Sequence, residues 1–310
     1  MLKKLLKKSP LIVFLVRKIV QWKNTYILDT DIKKEKFIAT KFRKRLGYDI
    51  EFNKIPETFN QKIQFRKLYD KNPLYAICAD KYAVREYVKE KIGEEYLIPL
   101  YLVTDKLTEE QWSQLNAPFV IKPNHDSGTV EIVKDKIKVN AQKIITDINR
   151  FLKIDYGKIS LEKYYSDIKE RKIIVEKYLK DNIEDFKFHV FNMENETKIF
   201  IQIDRDRFQG HKRNIYDENF NKLDFKYIQG YEFFENDIKE EVSEEILAKM
   251  KELVKKLSQG FEYVRVDLYN VDGKIYFGEM TFCPESGFGD ISPVEWDYKL
   301  GSYWNQKKLK

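Results

Sequence analysis

Residues 261–287 carry the alternation of a β-hairpin. Two apolar, aromatic-rich runs flank Asp272-Gly273, a dipeptide that is typical of tight hairpin turns. Successive side chains of a strand point to opposite faces, and the even-numbered positions of both runs are mostly apolar, which predicts one packed face. The other face carries polar and charged groups at the odd-numbered positions, namely Arg265, Asp267, Glu279 and Thr281.

The register of this hairpin decides whether its two carboxylates meet. A two-residue turn would place Asp267 and Glu279 on opposite faces. A three-residue loop over 271–273, with Gly273 left-handed, would make them diagonal neighbours on one face, about 7–8 Å apart at the backbone. Two such carboxylates suit Mg²⁺, which takes few protein oxygens and completes its shell with water and phosphate. A metal site and a surface strand with a salt bridge are the two alternatives.

Composition predicts a large soluble protein and argues against several other classes. Hydrophobic residues make up 43% of the 310 positions, enough for a sizeable core, and charged residues make up 35%. The net charge of +7 is spread along the chain, without the dense basic stripe of a nucleic-acid-binding protein. The two cysteines, Cys78 and Cys283, predict neither a disulfide scaffold nor a zinc site, and they fit a reducing cytoplasm.

The first 23 residues interleave basic and apolar side chains. The apolar run over 11–16 is too short to span a bilayer, and no convincing signal-cleavage site follows it. The pattern indicates either a basic amphipathic helix on an anionic membrane or a helix packed on the protein's own core.

The remaining chain alternates helical and strand patterns with several hairpins, which predicts a mixed α+β fold with antiparallel sheets. Helical periods cover 61–71, 81–92, the segment after Thr108, 141–152 and 240–259. Strand patterns cover 97–103, 117–122, 132–136, 137–139, 171–179 and two runs within 185–208.

Residues 122–128, KPNHDSG, form a small polar loop after a predicted strand. Such a loop can point backbone N–H groups at phosphates, and Lys122 can reach them as a point charge. The Walker A pattern is absent, and an ordinary hairpin loop is the alternative.

Residues 176–179, EKYL, end a buried strand. Backbone groups exposed there could pair with an adenine edge, and Glu184 or Asp185 could accept from ribose hydroxyls. The alternative is a helix–strand connection with solvated acids.

Residues 205–213 gather cations around Gly210. Arginine grips planar anions through parallel hydrogen bonds, so this segment suits phosphate or carboxylate recognition. A solvated charge run is the alternative.

In this order along the chain, these segments resemble the ATP-grasp superfamily and, more narrowly, the TupA-like ATP-grasp proteins of bacterial polysaccharide gene clusters. The resemblance runs from about residue 45 to 304. It is carried by the stretches PETFNQKIQFRKLYDKNPLY, ADKYAVREYVKEKIGEEYLIPL, FVIKPNHDSG, IIVEKYL, EDFKFHVFN, RFQGHKRNIYD and VRVDLYNVDGKIYFGEMTFCPESGF.

The resemblance implies an ATP-grasp fold, with two α+β subdomains whose antiparallel sheets grip ATP. A basic helical region over 1–75 is expected first. The N-terminal and small subdomains with the phosphate loop follow over 76–178, and the large subdomain with the metal-binding hairpin covers 179–310.

The resemblance also implies a role for individual residues. Lys81 and Lys122 look like the cations that hold nucleotide phosphates, with Arg85 in reserve, and the loop residues Asn124, Ser127 and Gly128 resemble a mobile phosphate lid. Glu176, Tyr178 and Leu179 look like the adenine contacts, and Glu184 or Asp185 like the ribose contact. Asp267 and Glu279 resemble the Mg²⁺ ligands. The implied catalytic and substrate-binding cations are Arg265, Lys187, Arg207 and Arg213. Thr281 stands where asparagine commonly ligates a second ion, so one and two metal ions both stay open.

The function that the resemblance implies is an ATP- and Mg²⁺-dependent carboxylate–amine ligase. It would work through an acyl-phosphate and attach an amino acid or amine to a cell-surface polysaccharide or its uronic-acid precursor. A sugar or glycan kinase and a non-catalytic nucleotide-binding assembly factor are the alternatives. The expected partners are a nucleotide and an acidic sugar or glycan, with no nucleic acid. The expected location is the cytoplasm, with peripheral contact to the inner face of the plasma membrane through residues 1–23.

Overall fold

The computed structural model describes residues 9–205, 210–228, 230–235 and 237–306. The α-helices in these ranges are α1 (Pro10–Tyr26), α2 (Asp31–Leu46), α3 (Phe59–Tyr69), α4 (Leu74–Ala79), α5 (Val84–Lys91), α6 (Glu109–Gln114), α7 (Ala141–Phe151), α8 (Tyr156–Ser160), α9 (Lys163–Asp167), α10 (Ile238–Glu241), α11 (Glu244–Leu257) and α12 (Glu295–Ser302). The strands are β1 (Leu100–Thr104), β2 (Phe119–Pro123), β3 (Glu131–Val133), β4 (Ile173–Lys177), β5 (Glu184–Asn192), β6 (Thr197–Arg205), β7 (Lys212–Tyr216), β8 (Lys222–Leu223), β9 (Lys226–Tyr227), β10 (Tyr263–Val271), β11 (Lys274–Thr281) and β12 (Ile291–Ser292).

The chain forms two compact units. The first unit consists of Met1–Lys34, Lys71–Val84 and Ile98–Tyr178. The second unit consists of Glu35–Asp70, Arg85–Leu97 and Leu179–Lys310. One division therefore lies between residues 178 and 179, where the sequence analysis placed a boundary. The region over 1–75, expected as a separate part, is divided between the two units.

The first unit is built on a four-stranded antiparallel sheet in the order β1-β4-β2-β3. Helix α7 begins after Asn140, whose side chain accepts a hydrogen bond from Lys143 N. The buried residues of α7 join those of the sheet in one apolar cluster, which includes Phe119, Ile121, Val133, Ile145, Ile148, Ile173 and Val175. The strand patterns over 117–122 and 171–179 and the helical period over 141–152 are confirmed.

The expected strand over 137–139 is wrong. A 3₁₀ turn at Lys136–Lys138 takes its place, because the Asp135 side chain accepts a hydrogen bond from Ile137 N at 2.9 Å. Ile137 itself is 95% exposed and has no packed face to hold a strand in register.

The second unit is built on a six-stranded antiparallel sheet in the order β11-β10-β5-β6-β7-β8. Helix α11 contacts β5 and β10 and buries one stripe of apolar side chains, as its sequence period predicts. A short antiparallel pair joins β12 to β9. The even-numbered face of β10 is fully buried through Val264, Val266 and Leu268.

The C-terminal hairpin combines a two-residue turn with a β-bulge. Val271 pairs with Lys274, so Asp272 and Gly273 alone form the turn, with φ of 53° and 84°. Of the two turn lengths that the sequence leaves open, the hairpin therefore has the two-residue turn. Leu268 pairs with Phe277, but Asp267 pairs with Glu279, so residue 278 is the extra residue of a bulge. The bulge puts Asp267 and Glu279 directly opposite each other on one face, rather than diagonally.

Replacing Gly278 by valine tests this bulge. A Cβ at residue 278 would lie 3.0 Å from the ring of Tyr269 and 3.1 Å from Asp267 O, so a larger side chain must displace β10. We expect the free energy of unfolding, measured by urea denaturation, to fall by about 1–3 kcal/mol. Lys274→Val puts the same side chain at an exposed position of the same strand and should change it by less than about 0.5 kcal/mol. Equal effects of the two substitutions would contradict the tight bulge.

Candidate functional site

The six-stranded sheet carries a buried charged face, built from residues that its register brings side by side. Asp267 is the partner of Glu279 on β11 and of Lys187 on β5, so the three side chains share a face. A parallel row joins Asp185, Asp204 and Arg213 across β5, β6 and β7. Among the described residues, the buried charges of this face are three cations, Lys187, Arg213 and Arg265, and three carboxylates, Asp185, Asp204 and Asp267, and the half-exposed Glu279 lies beside them.

Arg265 is the bridge between the two hairpin carboxylates. Its Nε donates to Asp267 Oδ1 at 2.7 Å, and its Nη2 donates to Asp267 Oδ2 at 2.7 Å. The same Nη2 donates to Glu279 Oε1 at 2.9 Å and to Thr281 Oγ1 at 3.0 Å. Among the described residues, Nη1 of Arg265 has no hydrogen-bond partner, so one edge of a firmly oriented guanidinium is left for an anion.

The charges on this face stabilise one another. Burial acts to raise the pKa of Asp267, but Arg265 and Lys187 outweigh it and hold the pKa of this carboxyl below its usual range. Burial also works against the charged form of Arg265, yet Asp267 and Glu279 raise its pKa well above the ordinary value. Both side chains are therefore ionised at neutral pH, and the pair orients groups without exchanging protons.

Lys187 lies between two acids. Its Nζ donates to Asp267 Oδ2 at 2.9 Å and also contacts Asp185. Asp185, a predicted ribose contact, is buried on the charged face. The other ribose candidate, Glu184, lies 2.5 Å from Arg205 Nη2. These two acids are therefore in different surroundings, and the ribose assignment stays a prediction.

Arg213 is held on the next row. Its Nε and Nη2 donate to Asp204 at 2.6 and 3.2 Å, and its Nη1 donates to Tyr227 O at 2.8 Å. Gln202 donates to the same Asp204 carboxylate at 2.9 Å. Arg207, predicted to act beside Arg213, lies outside the described residues.

The hairpin carboxylates suit a magnesium ion in chemistry. Both supply hard oxygen donors, and Mg²⁺ commonly takes one or two carboxylates plus phosphates and water. Glu279 is half-exposed and can turn an oxygen outward, whereas Asp267 is buried. In the described ranges no three Asp, Glu, His or Cys side chains form a metal-binding group. The donor set thus fits an ion that shares its shell with a phosphate, and a metal role for these residues stays a prediction.

In the first unit, Lys122 and Glu176 form an ion pair on the four-stranded sheet. Val120 pairs with Glu176 across β2 and β4, and Lys122 follows two residues later on the same face. The Lys122 Nζ lies 2.5 Å from Glu176 Oε2. Strand β4 ends at the next residue, Lys177, and the predicted adenine contacts Tyr178 and Leu179 follow it. The predicted phosphate cation and one predicted adenine residue are therefore neighbours.

The loop after β2 is anchored by buried side chains at its start. Asn124 donates to Asp80 Oδ1 at 2.9 Å and to Glu170 O at 2.8 Å, and it accepts from Lys172 N at 2.8 Å. The Nζ of Lys81 donates to the backbone oxygen of Asp126, which places this predicted phosphate cation beside the loop. Asn124 is fully buried, so its observed role is to hold the loop.

The exposed part of this loop is its tip. Ser127 and Gly128 are exposed, and Gly128 has φ of 82°, a left-handed conformation that glycine adopts without strain. The two tip residues therefore remain candidates for phosphate contact, on a base that Asn124 and the buried His125 and Asp126 keep in place.

Arg17 of α1 is a loop contact that the sequence analysis missed. Its Nη1 donates to Asp126 Oδ2 at 2.9 Å and to Thr129 Oγ1 at 2.8 Å, and its Nη2 donates to Ser127 O at 3.0 Å. More than a hundred residues separate Arg17 from this loop, and one arginine among many basic residues carries no distinguishing signal. Asp204 and Gln202 on the charged face were also missed, because one acid and one amide within an alternating strand carry no distinguishing signal.

The neutral, buried His125 predicts a pH-dependent stability. Its Nε2 donates to Ile154 O at 3.0 Å, and burial lowers the pKa of His125 to about 4. The unfolded chain protonates this histidine near its usual pKa, about 6.5. As the pH falls from 6.5 to 4, only the unfolded state gains this proton, so stability falls. We expect the contribution to reach about 3 kcal/mol.

This expectation is checked by urea unfolding of the wild type and His125→Gln between pH 7 and 4. The variant keeps an amide donor for Ile154 O but has no titrating ring, so its stability should fall less steeply. An unchanged slope would contradict the assignment to His125.

Arg17→Ala tests the anchoring of the loop. We expect this substitution to leave the side chain of the buried Asp126 without the guanidinium of Arg17. The loop should become less stable by about 1–3 kcal/mol, so amide hydrogen exchange over 126–129 should be about five- to 150-fold faster. Arg43→Ala is the matched control, because its ion pair with Asp49 at 3.6 Å is exposed. Unaltered exchange over 126–129 in Arg17→Ala would show that the helix does not hold the loop.

Comparisons with known structures give distant likenesses. D-alanine–D-alanine ligase from Helicobacter pylori shares 13% identity over 80% of this chain and 69% of that chain, with a TM-score of 0.46. L-amino acid ligase from Bacillus licheniformis shares 15% identity over 68% of this chain and 44% of that chain, with a TM-score of 0.41. D-alanine–D-alanine ligase from Bacillus anthracis, complexed with ATP, shares 17% identity over 74% of this chain and 63% of that chain, also with a TM-score of 0.41. The chain spans less than two thirds of the two Bacillus proteins.

None of the curated proteins compared with the chain matches it. The sequence model of the family described as TupA-like ATPgrasp matches residues 61–305. This match begins within α3, ends beyond α12, and includes both the Lys122–Glu176 pair and the cluster around Arg265. The chain therefore belongs to the TupA-like ATP-grasp family.

Proposed function

We propose that this protein is an ATP- and Mg²⁺-dependent carboxylate–amine ligase that works through an acyl-phosphate. The observation that carries the proposal is the oriented Arg265 guanidinium, which two carboxylates hold with Nη1 left without a partner among the described residues. Such a group can neutralise phosphoryl oxygens without reorganising. Phosphoryl transfer depends mainly on positioning and charge neutralisation, which this cluster suits.

Phosphate binding is assigned to the first unit. Lys122 is partly exposed beside Glu176, and Lys81 extends to the base of the loop that ends in Ser127 and Gly128. Each ammonium has three N–H donors, so it can donate to a phosphate oxygen in addition to its present oxygen partner. Tyr178, Leu179 and the acid at 184 or 185 keep their proposed roles toward adenine and ribose.

Magnesium binding is assigned to Asp267 and Glu279. A bound Mg²⁺ would supply charge neutralisation on the phosphate oxygens. Asp267 stays ionised because Arg265 and Lys187 lower its pKa, so it is a competent ligand throughout the neutral range.

The reaction has two balanced steps. A substrate carboxylate oxygen attacks the γ-phosphorus of ATP and releases ADP, which forms the acyl-phosphate. An amine then attacks the acyl carbon, loses a proton, and expels inorganic phosphate as the amide forms. Lys187 and Arg265 would hold the negative charge of the transferred group, and Arg213 and Arg207 the acidic substrate.

The proposed substrates are a carboxylate-bearing sugar polymer and an amine, and the proposed location is the cytoplasmic face of the plasma membrane. The activated carboxylate belongs to a cell-surface polysaccharide or its uronic-acid precursor, and the attacking nucleophile is an amino acid or another amine. The arginines of the segment over 205–213 suit an acidic sugar, because guanidinium groups pair with planar carboxylates. The protein would act in the cytoplasm, with peripheral contact to the inner face of the plasma membrane.

The chemistry is tested with purified protein, Mg-ATP, a panel of nucleotide-linked uronic acids and a panel of amino acids. A ligase releases ADP only when both a carboxylate and an amine are present, and mass spectrometry should find the amide. Hydroxylamine in place of the amine should trap the acyl-phosphate as a hydroxamate. A stable phosphoester formed without any amine would instead identify a kinase and refute the ligase.

Asp267→Asn tests the role of the charged face. Loss of the carboxylate removes a metal ligand and frees Arg265, so we expect turnover to fall by about a hundredfold or more. Asp272→Asn is the matched control, since it makes the same change in the exposed turn of the same hairpin. Glu279→Gln, at a half-exposed position, keeps the test valid if Asp267→Asn folds poorly. Full activity in both Asp267→Asn and Glu279→Gln would overturn the proposed site.

A further inference from the structure

Helix α1 presents an apolar face to solvent. Every exposed residue of this helix is apolar or aromatic, and the most exposed are Ile19 at 65%, Trp22 at 57% and Tyr26 at 67%. Leu11, Leu15 and Ile19 follow one another at four-residue intervals, and Trp22 and Tyr26 continue the same stripe at helical spacing. We name these five residues the outer stripe.

The polar side of α1 is the side that faces the first unit. In addition to the Arg17 contacts, Lys18 Nζ donates to Lys153 O at 2.8 Å. Asn24 Nδ2 donates to Lys158 O at 2.7 Å, and Gln21 Oε1 accepts from Asp155 N at 3.1 Å. The helix is thus attached by hydrogen bonds and by Phe14, which packs edge-on against Phe151 at 6.2 Å. Its exposed side is therefore apolar throughout, whereas the rest of the helix mixes these polar groups with half-buried apolar residues.

This orientation favours the membrane-facing alternative over a helix packed on the protein's own core. A helix that packs on its own protein turns its apolar stripe inward, because burying that area is the main favourable term. Here hydrogen bonds hold the helix with the outer stripe in water. A contiguous apolar surface of this kind indicates an interaction partner.

We propose that the outer stripe docks α1 flat onto an anionic lipid bilayer. Charge complementarity selects this partner: four lysines, Lys3, Lys4, Lys7 and Lys8, precede the helix in sequence. Basic residues next to an apolar helix face favour anionic headgroups, and tryptophan and tyrosine favour the interface between headgroup and acyl chain. No helix in the described ranges is long and apolar enough to cross a membrane, so the contact is interfacial.

The docked helix would remain attached to the enzyme, because Arg17, Lys18 and Asn24 are on its other side. The bilayer contact therefore does not compete with the hydrogen bonds that hold the loop over 126–129. The outer stripe includes none of the residues proposed to bind nucleotide, so membrane docking does not depend on the ligase reaction.

The test is sedimentation of the full chain with vesicles of phosphatidylcholine alone and of phosphatidylcholine mixed with phosphatidylglycerol. We expect binding to the anionic vesicles only, and weaker binding at high salt, which screens the lysines. The double variant Ile19→Ser/Trp22→Ser should lower the partition coefficient by about tenfold or more, since two large apolar side chains no longer enter the interface. Both positions are exposed, so thermal stability should be unchanged.

The matched control is Ile55→Ser/Ile137→Ser, which removes two exposed isoleucines outside α1 and should bind vesicles like the wild type. No binding to anionic vesicles, or equal binding by the Ile19→Ser/Trp22→Ser variant, would overturn the proposal. A lipid-free dimer that this variant abolishes would also overturn it and assign the outer stripe to a second copy of the chain.

Discussion

The bidentate pair between Arg265 and Asp267 is the interaction around which the charged face of the second unit is organised. Both groups are buried, and a buried charge without a partner costs far more than any single hydrogen bond returns. Lys187, Glu279 and Thr281 complete the oxygen and nitrogen contacts of the pair. An arrangement that satisfies its own charges in this way can meet an anion with groups already oriented, which is the condition for electrostatic catalysis.

In the first unit, polar and charged groups are likewise held in place by partners, although fewer residues take part. Lys122 is held by Glu176, and Asn124 satisfies a buried side chain and two backbone groups at the start of the loop. The result is a loop with a rigid base and an exposed tip. Arg17 extends this base to α1, so a helix whose outer stripe faces solvent also supports residues assigned to phosphate binding. Membrane attachment and nucleotide binding would then share one structural element without sharing side chains.

Local patterns predicted much of this structure correctly. The helix that begins after Thr108, the helical periods of α7 and α11, and the alternation of β5 and β6 each depend on residues close in sequence. Sequence patterns failed, or left alternatives open, where a distant contact or a bulge determines the local conformation. The strand expected over 137–139 lacks a packed face, and the hairpin register depends on a bulge at Gly278, which must fit against Tyr269.

The sequence alone determined the family through the order of its motifs. It also determined the antiparallel α+β class and the residues of the hairpin and the loop, through side-chain alternation and local turn and cap signals. Tertiary structure decided which charges meet. Asp267 and Glu279 share a face only because of the bulge, Lys187 joins them through the pairing of β5 with β10, and α1 turns its apolar side outward because distant backbone oxygens bind its polar side. Such contacts depend on register and on packing between segments far apart in the chain, and a linear pattern carries neither.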